Sequence, residues 1–476
     1  MVFDLLPAVD APRLTAETIR QLQAHLRGDL LLRGDEGYEA ARRVWNGGIN
    51  RHPALIVRAA GAADVMAAID VAGTYDLPLS IKGGGHGVAG HAIADGGLTI
   101  DLSSFKGIRV DPERMTVRVD GGVTAGELIK ETQGFLLATP TGKLPGAGVA
   151  GTTLGAGIGW LAHKHGLSID NLLSADVVTA VGRLLTASAE EHADLFWAIR
   201  GGGGNFGVVT SLEFRLHPVG VVYGGLVTYP LEKAREILRF FRAFAAEAPE
   251  ELTMVGALLT GPTGAKMVGI AACYAGVAPE GERVLRALTE IAEPAMAMLG
   301  PIPYVKQISM LKESAPAGLN HRWRSGYVQM FSDELIGTVV DGFAAAPSPA
   351  AAILIEQVGG GAVSRVAADA TAYPHRDAEF LLAFDAAWAT EGEAEANLAW
   401  IDGLWTAAQL HLTAGTYVNF LDDEGQARVE TAYGANYGRL RETKRRYDPT
   451  NLFRSNHNIE PAEYVSRRGS NGDFSP

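Results

Sequence analysis

The nine residues from Lys82 to Gly90, Lys-Gly-Gly-Gly-His-Gly-Val-Ala-Gly, constrain this chain more than any other stretch. Five glycines give a backbone free to take positive φ and open to close approach by another molecule. His86 stands among them with little bulk on either side. Upstream, Leu77 to Ile81 reads as a short apolar strand, and downstream Gly97 to Leu102 reads as another. The loop is therefore a strand-to-strand turn carrying a histidine, suited to fastening a cofactor.

Two segments match G-x-G-x-x-G, Gly85 to Gly90 and Gly146 to Gly151. A dinucleotide fingerprint has meaning only between a strand and a helix, whose N-terminus receives the pyrophosphate. The first match runs toward another strand. The second follows Thr139 to Pro145, where two prolines make a poor strand. Both contexts argue against a nicotinamide-type Rossmann unit. From Gly142 to Gly166 glycines recur, each weakening a helix or strand by roughly 0.5–1 kcal/mol relative to alanine. A long flat ligand lying on the backbone would offset that. A third cluster runs from Gly201 to Gly207 and contains Asn205.

At 476 residues the chain is too long for one ordinary core, and two domains are expected. Its 41 basic and 54 acidic residues leave a net charge of −13, which argues against a nucleic-acid partner. No apolar run approaches a membrane span. The opening Met1 to Pro7 lacks a signal-peptide pattern, and a cytoplasmic enzyme is expected. The single cysteine, Cys273, excludes an internal disulfide and a multi-thiolate metal site.

Periodicity predicts helices over 12–27, 36–46, 62–75 and 124–133, strands over 53–59, 115–119, 174–180 and 207–216, and a helix ending at Leu195 to Arg200. Beyond Pro218 the glycine clusters thin out. Strands are expected near 224–230, 252–259, 266–274, 326–331, 351–357, 380–387 and 415–420, with helices over 231–247, 279–294, 333–345 and 392–410. The fold class is α+β: a second domain built on a largely antiparallel sheet, helices on one face and the other face free to roof a site. One helix is expected from Glu424 to about Tyr447, and the tail after Pro461 is expected to be disordered.

Several motifs together resemble the vanillyl-alcohol oxidase superfamily, and within it the berberine-bridge-enzyme-like FAD-linked oxidases. They are the His86 loop, Gly148 to Trp160, Lys164 to Asn171, Asp194 to Gly207, Tyr417-Val-Asn419 and Tyr447 to Phe453. The resemblance covers nearly the whole chain. It implies a two-part FAD domain (1–218 and 416–465), a substrate domain (219–415) and a tail (466–476). It implies FAD bound covalently by His86, an imidazole nitrogen adding to the ring's 8α-methyl carbon. Many relatives carry a second tether through a cysteine, but the corresponding position here is Leu144, so a single linkage is expected. The implied FAD-binding residues of the first loop are Lys82, Gly83, Gly84, Gly85, Gly87, Gly90 and His91. In the second segment they are Pro145, Gly146, Ala147, Gly148, Gly151, Thr152, Gly155, Gly157, Gly159 and Trp160. Asn205, Gly207, Val208, Val209, Asn456 and Asn458 complete the set.

For chemistry, Tyr417 and Asn419, two apart on an expected strand, would look down on the ring. The resemblance favours Tyr417 as a base or a hydrogen-bond partner of substrate; a core tyrosine with its hydroxyl satisfied is the alternative. His165 corresponds to a position near the site in relatives. Glu356 is the carboxylate candidate, against a paired surface glutamate. Tyr373 and His375 are possible pocket-lining residues. His163 and His165 point apart on a helix and are not read as a metal pair. The implied activity is hydride transfer from an alcohol, sugar or biosynthetic intermediate to FAD, then electron transfer to O₂ with release of hydrogen peroxide. Small Ala147 occupies the place that gates O₂ in relatives. A dehydrogenase with another acceptor and a non-catalytic flavin carrier are the alternatives. No membrane or nucleic-acid partner is expected, and the chain is read as a monomer or homodimer.

Overall fold

A computed structural model describes residues 14–463, so the first two positions of the expected 12–27 helix and all but the first two of the 462–476 tail lie outside the described residues. Four sheets organise the rest. The first runs Asp29–Leu31, Leu55–Arg58, Leu98–Asp101, Leu79–Lys82. Its last three strands are parallel, and the helix Ala62–Thr74 buries Val65, Ala68, Ile69 and Ala72 in the same core. The His86 loop leaves the end of Leu79–Lys82 and returns into Leu98–Asp101, as the sequence implied.

A five-stranded antiparallel sheet follows, ordered Ile108–Asp111, Thr116–Asp120, Val208–Arg215, Leu172–Val178, Leu184–Ser188. Leu137–Ala138 and His217–Pro218 form a two-stranded ladder beside it. The largest sheet has seven strands, all antiparallel. Their order is Met296–Pro303, Val221–Pro230, Lys266–Tyr274, Leu252–Thr260, Ala352–Gln357, Phe380–Trp388, Asn320–Val328. Side chains alternate between its faces with period 2. Ile353, Ile355, Leu382 and Phe384 pack under the helices Ala234–Ala246, Asp333–Ala344 and Ala394–Ala408, against Leu238, Phe241, Val339 and Ile401. The alternate residues form the opposite face.

Several expectations are corrected. Residues 36–46 hold only the one-turn helix Tyr38–Ala41. The strands Asp29–Leu31, Ile108–Asp111 and Leu184–Ser188 are too short or too polar to show a pattern. Met296–Pro303 contains two prolines and survives as an edge strand, paired only with Val221–Pro230. The expected 415–420 strand is instead extended backbone ending in a 3₁₀ turn, Val418–Phe420. The expected 424–447 helix is two, Gln426–Tyr433 and Tyr437–Tyr447, parted at Gly434 with φ +48°.

The final segment is locked down by a buried cation. Lys444 Nζ donates to the carbonyls of Asn205 and Phe453 at 2.9 Å and pairs with Asp448 at 2.7 Å. The Asp448 carboxylate also accepts from the Leu452 and Phe453 amides. The Tyr447-to-Phe453 motif thereby fastens the chain's end onto the third glycine cluster.

Candidate active site

Register places one row of side chains across four strands of the large sheet: Val255, Glu356, Leu381 and Tyr327. Two residues along lie Ala257, Leu354, Ala383 and Ser325. Four separate segments pack against this face. Trp45, Val88 and Phe420 meet Trp323 and Ala383; Ala156, Ile158, Leu167 and Tyr417 meet Tyr327 and Leu381; Trp160 joins Val255. The glycine-rich segments and the sheet thus close on one another.

The two first glycine segments touch backbone to backbone. A Cβ on Gly84 would lie 2.3 Å from the Gly148 nitrogen, and one on Gly148 would lie 2.5 Å from the Gly84 nitrogen. This contact brings His86 against Gly146, whose Cβ would fall 2.9 Å from His86 Nε2. Many glycines are therefore explained by protein packing rather than by a ligand alone: Gly159 abuts the Thr141 carbonyl and Gly155 the Asn419 side chain. Gly87 and Gly151 differ: both are exposed, with nothing within 4 Å of where a Cβ would stand. His86 is half-buried, and burial holds its pKa below the ordinary imidazole value, which favours the neutral ring.

Tyr417 is buried, and its hydroxyl oxygen accepts from the Gly157 amide at 3.2 Å and from Asn419 Nδ2 at 2.9 Å. Asn419 Nδ2 also donates to the Thr152 carbonyl at 3.0 Å. Although no strand holds them, the two expected residues are joined by this bond. Burial pushes the Tyr417 phenol up to about 12, despite the opposing help of the Asn419 and Gly157 donors. Glu356 is not on the surface: it is buried and paired with Lys143 at 3.0 Å. Lys143 comes from the glycine-dense segment, 213 residues away in sequence. Among the described residues, the second Glu356 oxygen, Oε1, has no hydrogen-bond partner.

Other expected residues divide. Trp160 Nε1, Asn456 Oδ1 and Asn458 Oδ1 are buried polar atoms with no protein partner, which fits donors and acceptors reserved for a polar ligand. Asn205 is committed to the protein, donating to the Gly202 and His457 carbonyls and accepting from the Ile459 amide. Lys82 Nζ donates to the Ala41 carbonyl at 2.5 Å. His91 packs edge-on to His457, and burial lowers its pKa to about 4. Val208 and Val209 lie buried in the five-stranded sheet beside Gly207, which packs on Val177. The structure does not bring His165 to Tyr417: it stacks on His217 at 3.9 Å, and burial lowers it to about 3. Tyr373 hydrogen-bonds Tyr327 at 2.9 Å, and His375 stacks on Tyr327 at 4.3 Å. Sequence reasoning missed Lys143, Tyr327 and Trp45. Lys143 stands next to Leu144 and was within reach of notice; Trp45 carried no signal.

The exposed glycines, the half-buried histidine and the polar atoms without partners fit FAD, and Glu356 and Tyr417 are buried on elements that pack against the glycine-rich segments. Together they define an FAD-linked oxidoreductase. The family described as FAD binding domain matches residues 53–188, and that described as berberine and berberine like matches residues 416–460. An FAD-linked oxidoreductase from Dictyostelium discoideum is 30% identical over 451 residues, covering 94% of this chain and 98% of its own. The crystal structure of 6-hydroxy-D-nicotine oxidase from Arthrobacter nicotinovorans matches with a TM-score of 0.85 at 28% identity, covering 92% of this chain and 98% of that one. Xylooligosaccharide oxidase from Myceliophthora thermophila, solved with xylobiose, matches with a TM-score of 0.84 at 25% identity, over 94% of this chain and all (100%) of that one. The chain belongs to the berberine-bridge-enzyme-like family of FAD-linked oxidoreductases.

Proposed function

We propose that this chain is an oxidase that carries FAD on His86 through a single covalent bond and oxidises a small alcohol, sugar or biosynthetic intermediate. The observation that carries the proposal is the His86 ring, its neutral form favoured by burial, set against Gly146, with Glu356 and Tyr417 on the elements that close over the same loops. FAD, when bound, supplies the acceptor for the substrate's hydride and passes the electrons to O₂, giving hydrogen peroxide. Leu144 offers no thiol for a second bond, and the one cysteine, Cys273, is buried in the large sheet.

The chain's own residues would bind, orient and deprotonate the substrate. Gly87, Gly151, Trp160, Asn456 and Asn458 would hold the cofactor. The free Oε1 of Glu356 is available to accept a substrate hydroxyl proton, while Lys143 keeps the opposite oxygen paired. Tyr417 accepts two hydrogen bonds, so its own O–H is left to donate to substrate, or its oxygen to act as base at high pH. Phe420, partly exposed and packed on Trp323 at 4.8 Å between centroids, would give a ring-bearing substrate a flat surface to lie on. The names of the oxidases matched above, of a hydroxynicotine and of a xylooligosaccharide, support a small organic substrate. Ala147 supports O₂ as acceptor, because it places a small side chain at the position that gates O₂ in relatives.

The test is an anaerobic screen of alcohols, oligosaccharides and hydroxylated heterocycles, reading loss of the oxidised flavin absorbance. One class should bleach the flavin, and admitting air should restore the colour with one hydrogen peroxide per turnover. Bleaching without rapid recovery in air would replace the oxidase with a dehydrogenase. No bleaching by any class would remove the catalytic reading.

A further inference from the structure

Trp45 has no place in the chemistry above, yet the structure builds a bracket around it. Its indole lies nearly parallel to two imidazoles: His86 at 5.6 Å between centroids and 17°, and His321 at 4.0 Å and 25°. The backbone around it is tied on both sides. The Trp45 amide donates to the Gly85 carbonyl at 2.9 Å, one residue before His86. Its carbonyl accepts from Gly318, its indole N–H donates to the Ala315 carbonyl at 3.0 Å, and Gly47 donates to Leu319. Asn46 closes the bracket, its side chain bonding both the amide and the carbonyl of His321.

His321 is held as firmly. Its side chain is 2% exposed, and Nδ1 sits 2.9 and 3.2 Å from the two Asp385 carboxylate oxygens. By contrast, neither ring nitrogen of His86 has a hydrogen-bond partner among the described residues; the ring's orientation is set by Trp45 on one hand and the Gly146 backbone on the other. Bond formation at a fixed carbon needs the attacking nitrogen held within a near-attack geometry, and loss of that alignment is worth orders of magnitude in rate.

We propose that Trp45, held in place by the His321–Asp385 pair, is the positioning residue for covalent flavin attachment. This rests on the reading of His86 as the tether. The reaction it serves joins one imidazole nitrogen of His86 to the 8α carbon of FAD. A C–H bond on that carbon and the imidazole N–H bond break, two protons leave, and the C–H electron pair remains on the flavin. O₂ then takes those two electrons and two protons as hydrogen peroxide, restoring oxidised flavin. Because Trp45 is shared between the loop and the large sheet, attachment depends on the two being closed on each other.

The test uses the full chain purified as wild type, Trp45→Ala, Trp45→Phe and His321→Asn, incubated with FAD. Total bound flavin is read after desalting, and covalent flavin is read in the acid-precipitated pellet over time. Trp45→Ala should keep its flavin through desalting but attach it at least about tenfold more slowly, Trp45→Phe should recover most of the rate, and His321→Asn should fall between. Attachment by Trp45→Ala or by His321→Asn at the wild-type rate would overturn the proposal. If Trp45→Ala is insoluble, His321→Asn decides it by the same two readings. A wild-type chain that releases all its flavin into acid would sink the tether reading itself, and this inference with it.

Discussion

The loops that would carry the flavin and the sheet face that would roof it are built on different logic. In the loops, function lies in the backbone. Gly84 and Gly148 meet at distances no side chain permits, and that contact sets His86 against Gly146. On the sheet, function lies in register. Glu356 faces the site because it pairs with Val255 on one side and Leu381 on the other, in a face whose alternate residues fill an apolar core. Backbone requirements leave glycines, which are visible in a sequence. Register leaves ordinary side chains in ordinary strands. One region therefore announces its cofactor, while the other hides its substrate.

The largest effect belongs to the loop. His86→Ala should abolish covalent attachment, with all flavin in the supernatant after acid precipitation. Next comes the meeting point of the two regions. Tyr417→Phe should slow flavin reduction by about 10²–10⁴-fold, the range of a general acid–base group, with the flavin spectrum unchanged. A near-normal rate would shift the role to Glu356. The pH profile sharpens this. Burial raises Tyr417 to about 12, so at neutral pH it is protonated. If it acts as base, the reduction rate should climb as pH rises toward 12; if it only donates a hydrogen bond, the rate should fall there as the O–H is lost.

The Lys143–Glu356 pair tests whether loop and sheet are coupled. Lys143→Met strands a buried carboxylate and should destabilise the fold by about 3–5 kcal/mol in urea unfolding. The double change Lys143→Met with Glu356→Leu should regain most of it, since an apolar pair has no charge to desolvate. Equal losses in single and double variants would mean that the pair matters only through packing. The smallest effect is expected at Ala147. Ala147→Leu should slow reoxidation by O₂ about tenfold, or about 1.4 kcal/mol on that barrier, and leave reduction intact. Unchanged stopped-flow reoxidation would place the gas path elsewhere.

The contrast also explains what the sequence revealed. The strand–loop–strand setting of His86 was legible because glycine density and flanking apolar runs are local signals. The α+β class and the antiparallel roof followed from short strand-like apolar runs such as 252–259 and 380–387, recurring with helices between them. Tyr417-Val-Asn419 alternates like a strand but forms a 3₁₀ turn, because Tyr417 is pinned by the Gly157 amide and Asn419 by Thr152, contacts formed across more than 250 residues. Glu356 was legible as a carboxylate candidate, but Lys143 and its pairing with Glu356 were not, for the same reason. His165 looked like a site residue by position, yet its neighbour is His217.

Proteolysis of the acid-precipitated chain, followed by mass spectrometry of every flavin-bearing peptide, tests the central claim most directly. The account predicts one such peptide, containing His86 with FAD attached, and an unmodified peptide containing Leu144. Flavin found only in the supernatant, or attached to any residue other than His86, would contradict it.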